Sequence, residues 1–111
     1  MSRALAVLLA LTVAACGGAL SSAKTDFKKG RLAKAKVDLV ALEAESRDWT
    51  DRERAEYALY RGLVHLSLGD RDSATVWLHE ARAMEDARPR TLGEEDRTRL
   101  KVALESLAGA P

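Results

Sequence analysis

The stretches GRLAKAKVDL (residues 30–39) and GDRDSATVWL (residues 69–78) share one template. A glycine is followed five positions on by an alanine and four beyond that by a leucine, with every matched pair 39 residues apart. Glycine supplies a tight turn because it enters left-handed backbone without strain. Alanine lets two helices cross closely, and leucine fills the space beyond the crossing. Repeated helix pairs mark a stacked helical architecture, in which each unit buries its neighbour's apolar face.

The rest of the pattern is helical too. Leu32, Ala35, Leu39 and Leu42 recur at three- and four-residue spacing, which predicts an amphipathic helix over residues 31–46. Phe27 and its neighbours read as one short turn of helix before Gly30. Thr50-Asp51-Arg52-Glu53 has the form of a capping box. It opens a helix with Ala55, Leu59, Gly62, Leu63 and Leu66 on one face, stopped at Gly69. Asp70 then caps a helix striped by Ala74, Trp77, Leu78, Ala81 and Met84, which Pro89 bars from continuing. Thr91-Leu92-Gly93-Glu94 reads as a second capping box before a last helix with Leu100, Ala103, Leu104 and Leu107. No stretch alternates as a half-buried strand does, so the expectation is an all-α chain of four to five helices. At 111 residues, 47% of them hydrophobic and 32% charged, it forms one folded domain at most.

The amino terminus reads differently. Arg3 precedes an uncharged run, ALAVLLALTVAA over residues 4–15. As a helix this run spans about 18 Å, short of the roughly 30 Å hydrocarbon core, and it has the form of a signal peptide. Val13-Ala14-Ala15-Cys16 resembles the lipobox of bacterial lipoproteins. The resemblance implies that Cys16 is joined through sulfur to diacylglycerol, that the chain is cut before it, and that the new amino group is acylated. An ordinary secretory signal with an incidental cysteine, or a short buried helix, is the alternative. The boundaries that follow are a signal peptide over 1–15, a lipidated cysteine and flexible tether over 16–23, and a helical domain over 24–109. Gly17 rather than aspartate after the cysteine implies, by resemblance to enterobacterial sorting, the periplasmic face of the outer membrane rather than the inner membrane.

Residues 55–86 resemble a tetratricopeptide repeat, with Gly62, Gly69, Ala74 and Ala81 on that family's small positions. Leu78 replaces its usual aromatic and Ala58 its tryptophan. Arg61 stands at its leucine position, His65 at its tyrosine, and Asp86 where proline is common. The resemblance implies a short TPR-like α-α solenoid behind the signal peptide; the alternative is a generic helical bundle. In that family the first helix of each repeat lines a groove for partner segments, which makes Glu56, Leu59, Leu63 and Leu66 a candidate binding row. The alternative is that neighbouring helices cover these residues as core. About two repeats are fewer than the three that usually stand alone, which points to a partner or to self-association as a homo-oligomer.

Charge adds one more candidate. Lys24, Lys28, Lys29, Arg31, Lys34 and Lys36 crowd one segment against Asp26 alone. They form either a basic patch for anionic headgroups or a solvated helix face. The net charge of +1 argues against nucleic acid as a partner. His65 and His79 lack the neighbours of a zinc motif, and no nucleophile elbow or phosphate loop is present. The expectation is no enzyme, no metal and no cofactor. The reading is a lipid-anchored envelope protein acting as an interaction or scaffolding module for an envelope complex. Its alternative is a structural lipoprotein of the envelope without a defined client.

Overall fold

The computed structural model describes residues 18–109. Cys16, Gly17 and the signal segment over 1–15 lie outside the described residues. Six helices follow one another: α1 over 18–28, α2 Leu32–Ala41, α3 Glu43–Ser46, α4 Asp51–Ser67, α5 Arg71–Ala87 and α6 Glu94–Gly109. Among the described residues there is no strand, and the fold is all-α.

The 39-residue template is visible as geometry. Gly30 and Gly69 take φ of 79° and 85°, both left-handed. At the first, Arg31 N–H donates to the Asp26 carbonyl at 2.8 Å and Gly30 N–H to that of Phe27 at 3.0 Å. At the second, Asp70 N–H donates to His65 at 2.9 Å and Gly69 N–H to Leu66 at 3.1 Å. These are two copies of the Schellman turn, which closes the last carbonyls of a helix around a glycine. Nothing lies within 4 Å of where a side chain would begin at either glycine, so backbone angle alone selects the residue. Ala35, Leu39, Ala74 and Leu78 are all fully buried.

The expected tether is a helix. Residues 18–23 belong to α1, and Leu20 and Ala23 are buried in the core. Gly18, Ser21 and Ser22 are poor helix formers in isolation, but the burial of one face supplies what propensity lacks. Shifted by 39 residues, Leu20, Ala23 and Phe27 of α1 match Leu59, Gly62 and Leu66 of α4. Leu100, Ala103 and Leu107 give α6 the same spacing, large, small, large at i, i+3 and i+7. The structure thus holds two helical hairpins, α1–α2 and α4–α5, and a third leading helix. The closest crossing is at Gly62, where an added Cβ would sit 2.6 Å from the Leu78 side chain.

Two local expectations are corrected. The helix expected over 31–46 breaks at Leu42, whose N–H turns back to the Leu39 carbonyl at 3.1 Å and tightens the chain. Thr91 does not cap the last helix. Its buried hydroxyl donates to the Arg88 carbonyl, and α6 starts three residues later at Glu94. The Thr50 box does form: its hydroxyl accepts from Glu53 N–H at 3.2 Å, and Thr50 N–H donates to the Glu53 carboxylate at 3.3 Å. Asp70 caps α5 by accepting from Ser73 N–H.

The core lies around α4, which is buried on every side from Ala55 to His65. The terminal helices close it with polar outer faces: Ser21, Ser22, Thr25 and Lys28 on α1, Glu94, Glu95, Thr98 and Lys101 on α6. Polar outer faces are how the ends of stacked-repeat bodies meet water.

Candidate functional site

Three leading helices converge on one apolar cleft of about 400 Å³. Phe27 of α1 forms one side, Leu63 and Leu66 of α4 the floor, and Val102 and Ala103 of α6 the other side, with Arg99 at its edge. Each leading helix contributes because the shared spacing turns one face of each toward the same space. Tyr60 braces the walls beneath. The Phe27 ring meets its ring edge-on, centroids 5.7 Å apart. Its hydroxyl donates to Asp96 at 2.8 Å, and Arg99 donates to the same carboxylate at 3.0 Å. Burial, with Asp96 beside it, pushes the Tyr60 phenol far above the usual tyrosine range, so it is a fixed donor. Lys24 and Lys28 stand 5.8 and 5.9 Å from its ring centre.

The expected binding row divides here. Leu63 and Leu66 line the cleft, but Leu59 is fully buried and cannot meet a partner. Glu56 is buried and held by Lys24 at 2.7 Å and Arg52 at 3.0 Å. The row fails as a strip because on a helix enclosed on all sides residue 59 turns inward while 63 and 66 approach the rim. Phe27, Arg99 and Val102 replace it, contributed by helices that the row did not include. The large–small–large spacing common to the three leading helices marks Phe27, whereas Arg99 and Val102 lie beside its α6 members Leu100 and Ala103 and carry no such signal.

The basic residues also separate. Lys24 spends its charge on Glu56, and Arg31 and Lys34 on Asp26, at 3.4 and 2.8 Å. Asp26 is buried, and the hydrogen bond from Lys34 is the first cause holding its carboxyl below the usual range. Lys28, Lys29 and Lys36 are exposed.

Arg61 and His65, both buried on α4, explain each other. Arg61 Nε donates to His65 Nε2 at 3.1 Å, while its Nη1 donates to the Tyr57 hydroxyl at 2.9 Å and to Glu43 at 2.8 Å. Its guanidinium lies 4.7 Å from the Trp77 ring centre, and Tyr57 donates onward to the Leu39 carbonyl. The buried arginine is accommodated because its Nε and Nη1 donors find acceptors and its plane lies against an aromatic face. Since Nε2 accepts, the imidazole is neutral with its proton on Nδ1, 3.6 Å from Asp70 and without a hydrogen-bond partner. Burial first, and the Arg61 charge second, hold His65 below the ordinary histidine range.

Among the described residues no three His, Cys, Asp or Glu side chains gather as metal ligands do. No described helix is long and apolar enough to cross a membrane. The fold and site therefore define an all-α body of helical hairpins with an apolar cleft along its leading helices. No family model, no curated protein and no solved structure matches the chain.

Proposed function

We propose that this chain is a lipid-anchored interaction module of the bacterial envelope, held to the membrane through Cys16 and taking an apolar segment of a partner protein into the cleft. The observation that carries the reading is the cleft itself, apolar, lined from three helices and edged by the Arg99 guanidinium. Leu63 and Leu66, with Phe27 and Val102 across from them, give a partner helix or extended segment several anchor points at helical spacing. The tetratricopeptide-like arrangement supports this role at the level of architecture, and the lipobox-like segment supports the location.

The test is photocrosslinking in cells from residue 102, with residue 76 as a control on the opposite layer. A defined envelope protein crosslinked at 102 and absent at 76 is the expected result. Leu66→Asp, at a half-buried residue of the same cleft, should remove that crosslink and leave circular dichroism unchanged. Identical crosslinks from both positions would end the cleft reading. The anchor is tested separately: Cys16→Ser or globomycin should move the protein from detergent to aqueous phase.

A further inference from the structure

The two trailing helices share an interior and differ on the outside. On α2 the outward seam is Ala33, Val37, Val40 and Ala41, all exposed, with Val37 at 68% and Val40 at 44%. At 100° per residue these four fall within one narrow face, bordered by Lys36 on one flank and on the other by Lys34, which is paired with Asp26 and Asp38 at 2.8 and 3.0 Å. Moving 39 residues along gives the matching face of α5. There Ala33, Val40 and Ala41 become Asp72, His79 and Glu80, and Lys34 and Lys36 become Ser73 and Thr75. Only valine persists, as Val37 and Val76. The same backbone thus displays an apolar, lysine-edged face once and an acidic, polar face once.

We infer that the outer face of α2 rests on an anionic bilayer, Val37 and Val40 entering the headgroup boundary beside Lys36, whose ammonium meets lipid phosphates. Apolar residues flanked by lysines are the form of an interfacial helix, whose basic side chains extend to the headgroups while its apolar face sinks in. A ten-residue helix is about 15 Å long. One seam on it is far smaller than the roughly 800 Å² per side that a stable protein partner needs. A bilayer needs no such area when an acyl anchor already holds the chain beside it. The inference rests on the proposed anchor, since α1 begins within two residues of Cys16 and the chain doubles back at Gly30 into α2. This docking turns the layer of α1, α4 and α6, with its cleft, away from the lipid.

The experiment uses the full chain with Cys16→Ser, which has no other thiol. A single cysteine at 37 or 76 carries a polarity-sensitive fluorophore. Vesicles are phosphatidylcholine with or without phosphatidylglycerol, and brominated acyl chains act as quencher. On anionic vesicles the probe at 37 should be quenched several-fold more than the probe at 76. Lys36→Glu should weaken binding about tenfold. The segment over 4–15 is common to every variant, so it cancels from the comparison. Equal quenching at the two sites, or no binding to anionic vesicles, overturns the inference. So does a dimer in sedimentation that Val37→Asp dissociates, which would assign the face to a second copy. The proposed anchor is read independently by Cys16→Ser in cells, so either idea can fail alone.

Discussion

The turn at Gly30 and the turn at Gly69 are one structure built twice, and the residue just before each shows how the hairpins part company. Asp26 and His65 occupy matched positions, both buried, and both lend their carbonyl to the Schellman bond. Asp26 draws its partners, Arg31 and Lys34, from its own hairpin. His65 leans on Arg61, which reaches Glu43 on α3 and Trp77 on α5. At this matched position the first copy is fastened within its own hairpin, while the second spans its hairpin to Trp77 and reaches out of it to Glu43. Glycine, alanine and leucine specify the shared backbone, while one buried polar position decides how each copy is fastened.

The largest effects should come from the shared interior. Leu39→Ala and Leu78→Ala each remove a fully buried side chain and should cost about 2–5 kcal/mol in chemical denaturation. Gly62→Ala should cost about 1–3 kcal/mol through its clash with Leu78. Combined with Leu78→Ala it should cost less than the sum, because the deleted side chain vacates the space. Additive costs would mean that the close crossing is not what selects glycine there. Gly30→Ala and Gly69→Ala should cost roughly 1–2 kcal/mol each and nearly the same amount, since both sites are open and only φ is strained. A clear difference between them would break the equivalence of the two turns.

Acid should separate the hairpins next. His65 is neutral in the fold with its pKa held below 6.5, so its contribution is complete above that value and declines as pH falls toward the lowered pKa. Asp26 is charged in the fold with its pKa held below 3.8. Its contribution is complete above 3.8 and is lost only as pH falls through the lower folded value. Amide exchange followed by NMR should show α4–α5 loosening first on acidification and α1–α2 only at lower pH. His65→Gln should abolish the first step and leave the second. Val37→Asp and Val76→Asp lie at the small end: each should move the melting transition by less than about 0.5 kcal/mol, as exposed sites do.

Much of the second hairpin could be read residue by residue. The Thr50 box, the Asp70 cap, the Gly69 turn and the stripe from Ala74 to Ala81 all rest on local chemistry, and the structure has them where the sequence puts them. Helix α1 could not be read that way. Gly18, Ser21 and Ser22 argue locally for a tether, and only the match of Leu20 and Ala23 to Leu59 and Gly62 argues otherwise. Thr91 failed for a similar reason, its hydroxyl being claimed by the Arg88 carbonyl rather than by α6. The cleft was half legible. Leu63 and Leu66 belong to the helix that was scanned, but Phe27 and Val102 reach it from helices distant in sequence.

Sequence by itself determined what depends on neighbours along the chain: the helical class, the left-handed glycines, the caps, and the 39-residue period that makes two hairpins of one design. Tertiary structure decided which apolar side chains are core and which form a rim, since burial depends on what packs across from a helix. It also decided that a run of small residues becomes a helix and that an arginine on α4 is buried. The physical reason is range. Turn and cap energies act over a few residues, whereas burial and the pairing of buried charge are set by residues that only the fold brings together.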